Sequence, residues 1–156
     1  MMNNKILLKD LKDTEKLAKI ITKESFSSFN LLLDGQLGAG KTTLAQMIGK
    51  NLGVKNKIKS PTFNILKIYK GRKRNFTHLD AYRLKDSKHD IGLEEIFELQ
   101  NLTLIEWPFN IEKFLPPQYL LLELEIKNEN QRLITIYHKG DKYLKTLREI
   151  LAKWEK

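Results

Sequence analysis

One eight-residue segment constrains this chain more than any other. Residues 35–42 read Gly-Gln-Leu-Gly-Ala-Gly-Lys-Thr and match the pattern G-x-x-x-x-G-K-[ST] at every specified position. The apolar run 30–34 precedes the segment, and a stretch with helical spacing of Leu44, Ile48 and Leu52 follows it. The sequence therefore predicts a buried strand, a glycine-rich loop and a helix, an order typical of α/β proteins.

Each residue type in this loop suits the binding of a nucleoside triphosphate. Glycines let successive backbone N–H groups turn inward, and the positive end of the following helix adds attraction for an anion. We expect Lys41 to reach the β- and γ-phosphates, Thr42 to place its hydroxyl on Mg²⁺, and Thr43 to contact the α-phosphate. The predicted nucleotide-binding residues of the loop are Gly35, Gly38, Ala39, Gly40, Lys41, Thr42 and Thr43.

Such a loop needs a carboxylate for its cation, and two acids stand where predicted strands end. Glu106 closes the apolar run 102–105, and we expect it beside the strand of the loop, the usual station of a metal-binding acid. Asp80 closes the run 75–79 and follows a long basic stretch, which favours its ionised form. An ordinary turn or capping aspartate is an equally good interpretation of Asp80.

Three neighbours of these acids have both structural and functional interpretations. His78 alternates with Asp80 and shares its predicted strand face, but a lone histidine is more often structural. Trp107 is more often a core residue than a platform for adenine. Arg83 either pairs with an acid at the surface or senses a phosphate.

The net charge of +9 is distributed unevenly. Residues 35–79 hold 10 Lys or Arg and no Asp or Glu, whereas residues 80–130 hold 5 basic and 11 acidic residues. A long stretch without acids predicts a surface that faces phosphate, either of a nucleotide or of a nucleic acid. A solvated basic face is the ordinary alternative.

The remaining pattern predicts one domain, residues 1–156, with an α/β fold: a three-layer sandwich like that of P-loop NTPases, with a mixed sheet. Asp13 is predicted to cap the first helix. A hairpin of 62–69 and 75–80 is joined by the basic turn 70–74. Further strands are predicted over 5–8, 30–34, 102–105, 119–126 and 133–138, helices over 42–52, within 81–101 and over 141–154, and an inward face of the last helix at Leu144, Leu147, Ile150 and Leu151.

Composition excludes several classes of site. The chain has no cysteine, so it has no disulfide, thiol nucleophile, cysteine-ligated zinc or iron–sulfur cluster. No window approaches the roughly 18 uninterrupted apolar residues of a membrane span, and the N-terminus does not read as a signal peptide. We expect a cytoplasmic protein with no membrane partner.

Four further short stretches accompany the loop at 35–43: SPTF at 60–63, HLDAYR at 78–83, IGLEE at 91–95 and EWP at 106–108. Taken together, these stretches resemble the TsaE family, the small bacterial P-loop ATPase of tRNA threonylcarbamoyladenosine synthesis. Their order and spacing fit across about residues 5 to 138; Ala81 departs, where the family more usually has Leu, and the C-terminal helix matches only in being variable.

The resemblance implies specific roles for residues of this chain. It implies ATP and Mg²⁺ as ligands, Lys41 on the phosphates, Thr42 and Glu106 on Mg²⁺, and Asp80 in hydrolysis. It also implies a γ-phosphate-sensing switch at SPTF, and contacts of Thr14 and Arg132 with the base or ribose.

The resemblance also implies the partners. The protein would join a heterodimer of TsaB and TsaD, where its ATP hydrolysis supports repeated threonylcarbamoyl transfer to tRNA adenosine. Hydrolysis would be weak alone and faster in the complex, and the free protein would be a monomer or associate weakly. The basic segment 35–79 would serve the nucleotide, the tRNA or both, and the sequence leaves open whether tRNA is contacted directly or through the complex.

Three other readings compete with this one. A small-molecule kinase would need a lid, for which the basic turn 70–74 is the only candidate. A GTPase is disfavoured because the chain has no N-K-x-D motif and no D-x-x-G switch. A non-enzymatic RNA-binding module would use the basic segment 35–79.

Overall fold

A seven-stranded mixed sheet organises the chain in the computed structural model, which describes residues 3–59, 65–85 and 92–156. The strands are β1 (Lys5–Leu8), β2 (Phe29–Gly35), β3 (Leu66–Tyr69), β4 (Phe76–Asp80), β5 (Leu102–Glu106), β6 (Tyr119–Ile126) and β7 (Arg132–Lys139). Their order across the sheet is β1-β7-β6-β2-β5-β4-β3. The helices are α1 (Leu11–Glu24), α2 (Lys41–Asn51), α3 (Leu93–Phe97) and α4 (Asp141–Trp154), with 3₁₀ segments at Tyr82–Leu84 and Pro108–Phe114.

The centre of the sheet is parallel, which brings the carboxyl ends of four strands to one edge. Strand β2 pairs in parallel with β5 and β6, and β4 pairs in parallel with β5. In this register Leu33 lies opposite Glu106, and Glu106 lies opposite Asp80. Glu106 therefore lies beside the strand that leads into the glycine-rich loop, as predicted.

The alternation of side chains along β2 divides the interior into two cores. Leu31 and Leu33 belong to the larger core, together with buried residues of α1, α2 and α4, whereas Leu32 belongs to a smaller core beneath α3 and the 3₁₀ segments. The predicted α/β fold with a mixed sheet is confirmed. In the described residues, the layer on that face consists of the short helix α3 and the two 3₁₀ segments.

The first helix begins earlier than the sequence suggested, so the prediction that Asp13 caps it was wrong. The cap is Asp10, whose Oδ1 accepts from the backbone N–H of Asp13 at 3.0 Å. Asp13 accepts in return from the backbone N–H of Lys9 at 2.9 Å. The Asp10 carboxylate thus satisfies the backbone donor of Asp13, and the Asp13 carboxylate satisfies that of Lys9, so Asp10 is the cap.

Other boundaries shift by small amounts. The hairpin is antiparallel as predicted, with β3 over Leu66–Tyr69; residues 62–64 of the predicted strand lie outside the described residues.

In α4, Leu147 and Ile150 are buried as predicted, but Leu144 and Leu151 are half-buried, and Tyr143 is buried instead. The Tyr143 hydroxyl accepts from the Asn30 backbone N–H at 2.8 Å, an interaction that apolar spacing could not indicate. None of the helices in the described ranges is long and apolar enough to cross a bilayer.

The capping geometry gives a stability prediction. Asp10→Ala should lower the free energy of unfolding by about 1 kcal/mol, because the N–H group of Asp13 loses its acceptor. Asp10→Asn keeps an acceptor oxygen and should lie within a few tenths of wild type. Urea unfolding at neutral pH measures both values. A larger loss in Asp13→Ala than in Asp10→Ala would contradict the assignment of Asp10 as the cap.

Candidate functional site

The loop between β2 and α2 has the backbone geometry of an anion cradle. Gly38 and Gly40 have φ values of +83° and +103°, which L side chains rarely adopt. Gly40 directly precedes α2, and its carbonyl accepts the first helical bond from the N–H of Leu44 at 2.9 Å. The free N–H groups and the positive end of α2 therefore face the loop.

Lys41 is held against the loop and is only 5% exposed. Its Nζ donates to the carbonyl oxygens of Gly35 and, at 3.0 Å, of Gln36, and lies 3.9 Å from the centre of the Trp107 ring. Burial lowers the pKa of the Lys41 ammonium, while the negative charges of the nearby carboxylates, Glu106 first, act in the opposite direction. The result is a desolvated cation at the point where phosphate charge would lie.

Thr42 and Glu106 meet directly beside the loop. The Thr42 Oγ1 lies 3.2 Å and 3.4 Å from the two carboxylate oxygens of Glu106, which is almost fully buried. Hydroxyl and carboxylate oxygens are the ligands that Mg²⁺ prefers. In the described ranges, no three His, Cys, Asp or Glu side chains converge on a point. The donors present thus suit a magnesium ion that takes its other ligands from phosphate and water.

His78 is a site residue whose role sequence reasoning missed. Its Nε2 lies 2.5 Å from Oε2 of Glu106, and the ring is fully buried. Its Nδ1 has no hydrogen-bond partner within the described residues. An ionised Glu106 only accepts, so Nε2 carries the proton and donates it, which fixes the carboxylate's orientation. The H-x-D alternation, next to an acid at the end of a parallel neighbour strand, was the available signal.

A small cavity of about 220 Å³ collects the remaining acidic and aromatic groups around the loop. Asp80 lines it, and its Oδ1 accepts from the backbone N–H of Tyr82 at 3.0 Å. Trp107 lines it as well, with a φ of +57°, a conformation that non-glycine residues seldom hold outside functional sites. Trp107 therefore covers Lys41 and is not a simple core residue.

A second cavity of about 550 Å³ continues from the first, because Gly38, Gly40 and Thr43 line both. Thr14 and Arg132, far apart in sequence, line this second cavity. The Arg132 guanidinium donates to the carbonyl oxygens of Ala39 at 3.2 Å and Gly38 at 3.4 Å, so it also supports the loop. Trp107 does not line this cavity, which leaves Trp107 unsuited as a platform for a base there.

Some of the predicted features lie elsewhere. Arg83 is exposed and lines neither cavity. SPTF at 60–63 lies outside the described residues, as does Ile91 of the IGLEE stretch. The basic turn 70–74 joins β3 to the start of β4, the end of that strand farthest from Asp80. A larger cavity, of about 780 Å³, includes Asn30 and Tyr143 and does not touch the loop.

Comparison with known proteins agrees with this geometry. A sequence model of the family described as "Threonylcarbamoyl adenosine biosynthesis protein TsaE" matches residues 8–134. The chain belongs to the TsaE family.

Two relatives and one structure show how far the similarity extends. The tRNA threonylcarbamoyladenosine biosynthesis protein TsaE of Bacillus subtilis is 35% identical over 131 residues, 84% of this chain and 83% of the relative. The protein of the same name from Rickettsia typhi is 40% identical over 128 residues, 80% of this chain and 88% of the relative. The crystal structure of YdiB from Bacillus subtilis superposes with a TM-score of 0.82 at 29% identity, covering 96% of this chain and 94% of YdiB.

The match to the TsaE family spans the whole candidate site. Thr14 and Arg132, the outermost of the predicted site residues, both lie inside residues 8–134. The family assignment and the two cavities therefore concern the same part of the chain.

The lowered pKa of Lys41 predicts a pH dependence of stability. In the range between that pKa and the usual value of 10.5, the unfolded chain binds more protons than the folded chain. The free energy of unfolding of the wild type, relative to Lys41→Met, should therefore rise with pH through this range. Urea unfolding of both proteins from about pH 8 to pH 10.5 measures the difference. Parallel pH profiles would contradict a desolvated Lys41.

Proposed function

We propose that this TsaE-family protein binds and hydrolyses Mg-ATP, and that this hydrolysis supports N6-threonylcarbamoyladenosine modification of tRNA. The observation that carries the proposal is the convergence of the loop, the Thr42–Glu106 pair and Asp80 on one small cavity that continues into a larger one. The charged and polar groups that line the first cavity suit a triphosphate, and the second, larger cavity suits a nucleoside.

Different groups of the chain have different roles toward the phosphates and Mg²⁺. The loop N–H groups and Lys41 bind the phosphate oxygens, and Thr42 and Glu106 hold Mg²⁺, which when bound neutralises charge on the β- and γ-phosphates. His78 acts on Glu106 alone, since its Nε2–H fixes the carboxylate. It is a positioning residue.

Asp80 is the group placed to orient the attacking water. It lines the same cavity as Lys41 and Glu106, and the backbone N–H of Tyr82 fixes one of its oxygens at 3.0 Å. The Trp107 ring closes over Lys41, with Tyr82 packed against it at a ring separation of 5.0 Å. These two rings exclude bulk water from the lysine, which strengthens its interaction with phosphate.

Thr14 and Arg132 form the nucleoside side of the proposed site. Arg132 donates to the carbonyl groups of Gly38 and Ala39 and so fixes the loop backbone beside the second cavity. Thr14 lines the wall contributed by α1. Among nucleotides we assign ATP, in keeping with the missing N-K-x-D motif for guanine.

The proposal includes the partners and the cellular setting. Relatives named tRNA threonylcarbamoyladenosine biosynthesis protein TsaE support a place in that pathway. We assign a TsaB–TsaD heterodimer as the partner, weak hydrolysis without it, and a cytoplasmic location. A small-molecule kinase is less well supported, because its only candidate lid, the turn 70–74, adjoins the end of β4 away from Asp80.

The experiment that tests the proposal is ATP hydrolysis by the purified protein with Mg²⁺, alone and with the TsaB–TsaD heterodimer. Hydrolysis should rise when the heterodimer is added. ATP analogues should inhibit it by competition, whereas GTP should not. Release of a phosphorylated metabolite in place of free phosphate would instead support a kinase.

The metal assignment predicts the behaviour of a Glu106 variant. Glu106→Gln keeps an oxygen that accepts from His78 but loses the charge that holds Mg²⁺, so hydrolysis should fall by about 100-fold or more. ATP binding in EDTA, measured by fluorescence of a labelled nucleotide, should stay within about threefold of wild type. Unchanged hydrolysis would remove Glu106 from the metal site.

The positioning role of His78 predicts two different outcomes for two amides. His78→Asn cannot reach Glu106 from the position of Nε2, so the Mg²⁺ concentration for half-maximal hydrolysis should rise about tenfold. His78→Gln places an N–H donor near that position and should recover most of the loss. Nucleotide affinity in EDTA should not change in either variant. The same Mg²⁺ dependence in wild type and both variants would show that His78 is only structural.

A further inference from the structure

Most of the basic segment does not lie at the nucleotide site. Of its 10 Lys and Arg, only Lys41 lines either of the two cavities around the loop. Arg74 is half-buried and donates to the Ser25 hydroxyl and the Phe26 carbonyl, which fastens the hairpin to the end of α1. The other eight are exposed. A nucleotide in the two cavities therefore does not account for their charge.

Six of these exposed cations belong to two chain segments that are hydrogen-bonded to each other near the C-terminal end of α2. The loop that leaves α2 pairs with the β3–β4 turn through an antiparallel bridge between Val54 and Gly71. The N–H groups of Arg72 and Lys73 donate to the carbonyl oxygens of Gly53 and Leu52 at 3.1 Å and 2.9 Å. We call the exposed residues of these segments the basic surface: Lys50, Lys55, Lys57, Lys70, Arg72 and Lys73.

The basic surface is fixed in place. A Cβ at Gly53, where φ is +87°, would lie 2.7 Å from the Cβ of Arg72, so the two segments are in close contact. Ile58 is buried, and its carbonyl accepts from the Gln46 side chain of α2 at 2.8 Å, which holds the loop along the helix. The cations are thus presented by a backbone that is already ordered, which reduces the entropy lost when a partner binds.

Most of this surface lies at the end of α2 that is far from the loop. The helix runs from Lys41 to Asn51, and at about 1.5 Å per residue it spans roughly 16 Å. Lys57 lies nearer the loop, because the neighbouring Ile58 contacts Gln46 in the middle of the helix. None of the six cations lines either of the two cavities, so any partner of the basic surface is a molecule other than a nucleotide bound there.

We propose that the basic surface binds the phosphate backbone of an RNA. The segment 35–79 contains no acidic residue of its own, and in the described part of the chain the one acid that shares a surface cavity with the basic surface is Glu15, beside Lys50. Lysine is depleted in the cores of protein–protein interfaces, where aromatic residues are enriched, whereas Lys, Arg and Asn are the side chains that contact phosphates. The exposed Asn56 and Asn75 lie in the same two segments. The composition therefore favours RNA over an acidic protein.

The choice of RNA as probe rests on the proposed function, which places the protein in a tRNA-modifying pathway; the binding itself uses no residue of the ATP site. The experiment measures binding of a labelled, unmodified tRNA transcript to the full chain in EDTA without nucleotide, over a series of salt concentrations. The test variant carries Lys55→Gln, Lys57→Gln, Arg72→Gln and Lys73→Gln.

A matched variant controls for net charge. It carries Lys5→Gln, Lys145→Gln, Arg148→Gln and Lys156→Gln, four exposed cations of the same types located on β1 and α4 or just after it. Strand β1 lies at the opposite lateral edge of the sheet from β3. Both variants lose the same four charges from a net charge of +9. Urea unfolding and ATP hydrolysis without partners should match wild type in both.

The test variant should bind the transcript at least about tenfold more weakly near 100 mM salt. Its plot of log affinity against log salt should be shallower by about 3, since each lost phosphate contact removes about 0.7 to 0.9. The matched variant should stay within about threefold of wild type.

Three results would overturn the proposal: no RNA binding by wild type, equal weakening by both variants, or unchanged RNA binding in a test variant that loses stimulation by TsaB–TsaD. The last result would assign the surface to a protein partner. Failure of ATP hydrolysis in every protein would count against the proposed function and leave the RNA result standing.

Discussion

The parallel register of β2, β5 and β4 is the constraint on which the rest of the site depends. It places Leu33, Glu106 and Asp80 side by side where the three strands end, and the loop starts just beyond that point. Buried runs such as Leu31–Leu33 and Leu104–Ile105 hold the register, because a shift by one residue would turn every side chain to the other face of the sheet. Two acids far apart in sequence thereby share one cavity with Lys41 and Thr42.

The site combines buried charge with matched partners. Lys41 is desolvated, yet it keeps carbonyl acceptors, an aromatic ring and nearby carboxylates. Glu106 is almost fully buried, yet Thr42 and His78 contact it. A buried charge without such contacts would be too costly to retain. The strained backbone of Trp107 lies in the same place, as is common where a fold gives up local stability for function.

Helix α2 separates two surfaces of different character. Its N-terminus meets the loop and the acids of the candidate site, and its C-terminus meets the hairpin turn that carries much of the positive charge. The sequence shows both as one uninterrupted basic segment, 35–79. Only the direction of the helix shows that most of these cations lie away from the two cavities of the candidate site.

The loop, the α/β order and the acids at strand ends can be read from local spacing alone: the glycines before Lys41, the apolar run before Glu106 and the alternation that ends at Asp80. The sequence also contained enough motifs for the TsaE family to be proposed. Contacts between residues that are far apart in the sequence are visible only in the folded chain. In the folded chain His78 contacts Glu106, and the Trp107 ring lies over Lys41. Thr14 and Arg132 line one cavity, and Asp10, not Asp13, caps the first helix. Such contacts follow from strand register and packing, which no local pattern encodes.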